Sequence, residues 1–334
     1  MARSHRVQRS PATIFRMTGL QLRPAALMQA AIRRWVLSVF PRGQSMIDYD
    51  TPAGDPGLFG PETVTWRVHA DFPGMLAGGL CALLLQALHP RALAGVWDHS
   101  DFRADLVGRL RRTTAFVAGT TYAGTAEAQR LIARVAAIHT HVRGATADGV
   151  PYAAGDPDLL TWVHVSEAYA FMQGFRAYAG MALPPGAEDR YYDESRRVAE
   201  ALGARDVPAS AAAVSSYFDS VRPELRFDAR SREVLDVLRR VRLPVPAATP
   251  SREVFLGAGA ALLPDWAGAM LGKTPAQRVR DRACARVLRS AAPLFRAALP
   301  DGIAPRACRR LQVPTTILRD WTGVQLHENA VASG

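Results

Sequence analysis

Apolar residues recur at three- and four-residue intervals through most of the 334-residue chain. That spacing is the signature of amphipathic helices. Strand-like alternation is scarce, and no β-branched run is bounded by turn pairs. The cleanest apolar stretch, Met75–Leu88, has 14 residues, short of the roughly 20 that span a membrane. It predicts a buried core helix that stops before Pro90, and Gly78 and Gly79 would let a second helix or a flat ligand approach its backbone. Asp101–Gly119 predicts a helix with Leu106, Leu110, Thr113 and Val117 on one face. Thr125–Arg143 predicts another, with a stripe of Leu131, Val135, Ile138 and Val142 and a stop at Gly144. After a polar loop over Ala145–Gly155, Asp156-Pro157 supplies an N-cap and a first-turn proline for an aromatic helix that runs to Tyr178. Further helices are expected over 188–202, 209–221, 231–241, 251–271, 275–298 and 305–318. With no repeat and no linker, the pattern reads as one large all-α domain over 48–325. A leader (1–47), helical over 25–40, precedes it, and a tail (326–334) follows.

Composition is that of a globular protein: 49% apolar and 21% charged. The net charge of +11 is uneven, because residues 1–47 hold eight arginines and no acid, which leaves +3 on the remainder. A basic leader before a nearly neutral body, with no patterned basic face, argues against nucleic-acid binding. It fits a solvated arm, or a weak contact with a membrane surface. The leader lacks the apolar core of an export signal, so a cytoplasmic location is expected. The three cysteines, Cys81, Cys284 and Cys308, are odd in number and far apart, which excludes a disulfide framework and a cysteine zinc site. Gly272-Lys273-Thr274 looks like the end of a P-loop, but Ala267 stands where the first glycine is required.

Eight histidines occur without a zinc pattern or a Cys-x-x-Cys-His attachment site. His139 lies on the apolar stripe of its helix, four after Val135, whereas His141 falls on the polar side. His139 therefore reads either as a core histidine bonded to a carbonyl or as an axial ligand to a metal or haem iron. Arg143, four residues on, is expected on the same face, where it could pair with a propionate. Arg109 and Thr113 have the same spacing on the preceding helix, and Arg109, beside the Leu106/Leu110 stripe, either finds a partner or snorkels to water. His89, His99 and His164 read as structural.

Four segments in order, LLLQALHPRALAGVWDHSDFRAD, RLRRTTAF, VAAIHTHVRG and YAAGDPDLLTWVH, resemble the MpaB-like and rubber-oxygenase (latex-clearing protein) family, from about residue 60 to 240 and more weakly to about 300. The resemblance implies an all-α fold with a globin-like core and a noncovalent haem b. It implies oxidative cleavage of carbon–carbon double bonds in apolar isoprenoid substrates by dioxygen. It maps the proximal ligand to His139 and its partner to Arg143, and the distal pair to Arg109 and Thr113. One feature departs from the family. Rubber oxygenases place a glutamate upstream of the distal arginine, yet no glutamate lies between Glu62 and Glu127 here, and Asp98, Asp101 and Asp105 are the only acids near that place. The expected protein is a haem-dependent oxidoreductase acting on an apolar isoprenoid or secondary metabolite. The alternative is a non-catalytic helical protein holding a lipid-like ligand or a partner in the same pocket.

Overall fold

Glycine and alanine let the two central helices cross almost backbone to backbone. In the computed structural model, described for residues 24–41, 47–244 and 248–324, the elements are α1 (Pro24–Val39), α2 (Val64–Ala70), α3 (Phe72–Gln86), α4 (Pro90–His99), α5 (Leu106–Tyr122), α6 (Thr125–His139), β1 (Arg143–Ala145), β2 (Pro151–Ala153), α7 (Pro157–Tyr178), α8 (Ala187–Leu202), α9 (Ala211–Val221), α10 (Ala229–Arg240), α11 (Ala248–Ala260), α12 (Asp265–Met270), α13 (Pro275–Ala298) and α14 (Ile303–Arg310). Most of the leader (1–23 and 42–46) and the tail lie outside the described residues. A Cβ on Gly78 would stand 2.7 Å from the Ala170 carbonyl oxygen, and one on Gly174 would run into the Gly74 carbonyl. α3 therefore meets α7 along a face with room for no side chain at these points. α11 packs on α3 in the same way, since a Cβ on Gly259 would stand 2.7 Å from the Ala77 carbonyl oxygen. α13 lies outside α11, and α1 lies against α13, with Trp35 stacked on Phe255 and edge-on to Phe295.

No single helix among the described residues is long and apolar enough to cross a membrane; α2 and α3 reach that composition only as a pair bent by 90°. The bend sits at Asp71, which N-caps α3 by accepting from the Gly74 N–H at 3.0 Å and pairs with Arg296 at 2.8 Å. A second core cluster joins α2 to α5 and α14 around the fully buried Trp66. Its indole N–H donates to the Thr121 carbonyl, and the Tyr122 hydroxyl donates to the Trp66 carbonyl.

The element ends depart from expectation at four places. The core helix ends at Gln86, before Pro90 as expected, and the departure is the helix that follows. His89 caps a new helix there, its Nδ1 accepting from the Ala92 N–H, and Pro90 opens α4. The next helix begins at Leu106, because Asp105 takes the Gly108 N–H at 2.8 Å and acts as its N-cap. α6 ends at His139, and the chain turns into a hairpin in which Arg143 faces Ala153 and Ala145 faces Pro151. The segment expected as loop thus supplies β2, with Gly149 (φ +84°) in the connection. The helix expected over 251–271 breaks at Pro264 into α11 and α12.

A cavity with an imidazole and a guanidinium

α3, α5, the end of α6 and α7 line much of one cavity of about 1360 Å³ that is partly open to solvent, larger than the roughly 300–1,000 Å³ of an ordinary ligand cleft. Its walls are mostly apolar, with Leu83, Leu110, Val135, Val163 and Phe171 among them, and the end of α1 closes one side with Val36, Leu37 and Phe40. A few polar groups face this greasy space, and their hydrogen bonds sort them into occupied and available.

His69 is occupied. The Thr121 hydroxyl already donates to the Val117 carbonyl, so it accepts from His69 Nδ1–H at 2.8 Å, which leaves Nε2 to accept from the Tyr191 hydroxyl at 3.0 Å. Burial pushes its pKa down to about 3. His89 does not line the cavity; it is committed to its capping bond, and burial pushes it down to about 4. His139 is different. It lines the cavity at the last residue of α6, half-buried, and its Nδ1 is buried with no hydrogen-bond partner. The reading of His139 as a core histidine bonded to a carbonyl does not hold among the described residues. Desolvation lowers its pKa, so the neutral ring that can ligate a metal is favoured. His164, on α7, also lines the cavity without a hydrogen bond among the described residues, and burial pushes it down to about 4.

Arg109 reaches the cavity from α5. Its Nη1 donates to the Ser100 hydroxyl at 2.9 Å, and among the described residues it forms no ion pair. Desolvation, and then the neighbouring Arg112, lower its pKa, so it is a cation held in a poorly solvated place. Thr113, one turn along α5, lines the same wall with its side chain exposed. Arg109, Thr113 and His139 therefore meet at one cavity. Arg143 does not join them. It is exposed in β1, off the α6 axis, because hairpin pairing replaces the helix beyond His139, and His99 Nε2 lies 3.2 Å from its carbonyl oxygen.

The acids near the place where the family keeps its glutamate are engaged elsewhere: Asp98 accepts from the Tyr152 hydroxyl at 2.6 Å, Asp105 caps α5, and Asp101 is exposed. Asp71, Asp105 and Asp301 also border the cavity, and a fourth carboxyl, with neither a capping bond nor an ion pair among the described residues, comes from another helix. Glu167 on α7 lines the cavity, with Gln86 of α3 hydrogen-bonded to it and Arg109 as the nearby cation. Desolvation outweighs both and pushes its pKa up to about 7. The sequence carried a signal for it: Glu167 is the only acid between Asp158 and Glu188, in a helix otherwise buried, where a lone carboxylate is rare.

Among the described residues no group of three or more His, Cys, Asp and Glu could hold a bare metal ion. A tetrapyrrole brings four donors of its own and asks the protein for one imidazole and an apolar slot. The Nε2 of His139, accessible and without a hydrogen bond among the described residues, and the size of the cavity fit that demand.

The fold and cavity define an all-α protein with a large, mostly apolar cavity bordered by an unbonded imidazole and a desolvated guanidinium. The chain belongs to the family of ER-bound oxygenase mpaB/B'/rubber oxygenase catalytic domains, which matches residues 66–297, from α2 to the last turn of α13. No curated protein and no solved structure matches the chain.

Proposed function

We propose that this member of the oxygenase family is a haem b-dependent oxygenase acting on an apolar isoprenoid-like or secondary-metabolite molecule. The reaction proposed is oxidative cleavage of a carbon–carbon double bond, in which the C=C bond breaks and each carbon takes one atom of dioxygen. The observation that carries the proposal is His139: a half-buried imidazole on the wall of a large, mostly apolar cavity, whose Nδ1 is shut away without a partner and whose Nε2 keeps accessible surface and forms no hydrogen bond among the described residues. Haem, when bound in the globin-like core the resemblance implies, supplies the dioxygen chemistry. The side chains do the rest. His139 holds the cofactor. Arg109 offers fixed positive charge in a dry site, where it acts more strongly than in water, and Thr113 adds a hydroxyl one turn away. Glu167, titrating near neutral pH, holds a proton at its carboxyl and is oriented by Gln86. Leu83, Leu110 and Phe171 exclude water and receive an apolar substrate. The assignment of Arg143 to a cofactor carboxylate rests on the resemblance alone. The free thiols, with Cys81 and Cys308 buried, support a reducing, cytoplasmic location.

Hemin titration of the purified chain tests this reading. A Soret band should appear at one hemin per chain, vanish in His139→Ala and persist in His164→Ala. Loss in His164→Ala alone would move the ligand to α7. A colourless protein that refuses hemin would overturn the proposal in favour of a lipid-like guest in the same cavity.

A further inference from the structure

Eight large apolar side chains are conspicuously exposed among the described residues, and five of them lie on two helices packed side by side: Leu27 (54%) and Met28 (52%) on α1, and Val279 (62%), Val287 (54%) and Leu294 (38%) on α13. Single exposed apolar residues need no explanation, but a concentration on adjacent helices does. Arg280 is paired with Glu253 of α11 and Arg278 with Asp265 of α12, and the charges left without an ion pair among the described residues have one sign. Arg282, Arg286 and Arg289 are exposed on α13, and Arg34 on α1. The one acid on α13, Asp281, is already paired with Lys273, and α1 has none. The chain entering α1 continues the pattern in sequence, since residues 1–23 hold Arg3, Arg6, Arg9, Arg16 and Arg23 and no acid.

We infer that the exposed face of α1 and α13 docks this protein on an anionic phospholipid surface. Apolar side chains interleaved with arginines are what an interfacial helix presents: the apolar groups enter the acyl boundary and the cations meet lipid phosphates. A second copy of the chain fits poorly, because a two-fold contact would set these arginines against their own equivalents. Nucleic acid would use the arginines but leave Leu27, Met28, Val279 and Val287 without a role. The position also suits an apolar guest, because the end of α1 lines the cavity with Val36, Leu37 and Phe40. A molecule dissolved in the bilayer would then reach the cavity without crossing water. Docking itself does not depend on the haem assignment.

Co-sedimentation of the full chain with vesicles of phosphatidylcholine, alone or mixed with phosphatidylserine, tests the inference. The protein should bind the mixed vesicles, release them as salt rises, and ignore pure phosphatidylcholine. With each surface arginine contributing about fivefold, Arg282→Ala/Arg286→Ala should weaken the partition about thirtyfold. Leu27→Ser/Met28→Ser should weaken it further, while circular dichroism stays unchanged. Equal binding to both vesicle types, no binding to either, a dimer in light scattering that Val287→Asp dissolves, or tighter binding to DNA than to the mixed vesicles would each overturn the inference.

Discussion

Replacing Glu167 by glutamine should change stability in a way that depends on pH, and its size follows from where the carboxyl sits. An unfolded chain releases this proton near 4.5, whereas the folded one holds it to about 7 because the cavity desolvates the anion. At about 1.4 kcal/mol per pH unit the gap sets a ceiling of ~3.5 kcal/mol, and cavity water trims it to about 2 kcal/mol. The sign is fixed. Below 4.5 both states are protonated and nothing is lost. Between 4.5 and 7 the unfolded state gives up its proton first, so stability falls as pH rises. Above 7 the folded state carries the full penalty of a buried anion. Glutamine is neutral throughout and can still hydrogen-bond Gln86. The cavity histidines His69, His139 and His164 are all lowered by burial and shift stability below about 6.5 in both proteins alike, so they cancel from the difference, and Arg109 is charged across the window. Urea unfolding of both proteins from pH 5 to 8 should show Glu167→Gln gaining on the parent by about 2 kcal/mol over that range. A difference that stays flat with pH would mean an ordinary carboxyl in contact with bulk water, and Glu167 would lose its place as the cavity's proton holder.

Gly174→Ala should cost about 1–3 kcal/mol or more in urea unfolding, since its methyl group meets the Gly74 carbonyl. Gly155→Ala, with open space around it, should stay within about 0.5 kcal/mol of the parent. Arg296→Met leaves the buried Asp71 carboxylate without its cation and should cost about 3–5 kcal/mol, part of it recovered in the double variant with Asp71→Asn; a thermal melt of each would read this. His139→Ala should leave the unliganded protein as stable as the parent or slightly more so, because it removes a buried nitrogen that nothing satisfies. Marked destabilisation there would mean that the imidazole is a packing element.

The helices were legible wherever one side of the chain is greasy and a cap is local. Asp156-Pro157 opens α7, and Thr274, exchanging hydrogen bonds with Gln277, opens α13 where the pattern placed it. What escaped is decided by partners far along the chain. Nothing near Arg143 states that Ala153 will pair with it, so periodicity carried the helix one turn too far and put Arg143 beside His139. α3 does end before Pro90, but the helix that Pro90 opens escaped, because a histidine cap is a rarer signal than the proline itself. The spacing that set Arg109 over Thr113 lies within one helix and survived intact. The cavity could not be read in this way, because it is a relation among helices. Glu167 comes from α7, Gln86 from α3 and Arg109 from α5, three residues brought together only when Gly74, Gly78 and Gly174 let α3 and α7 close. Looking for the carboxylate upstream of Arg109 assumed that a functional group must come from the helix that carries it in relatives. What a cavity demands is a carboxyl held in poor solvent near a cation, and the neighbouring helix α7 meets that demand.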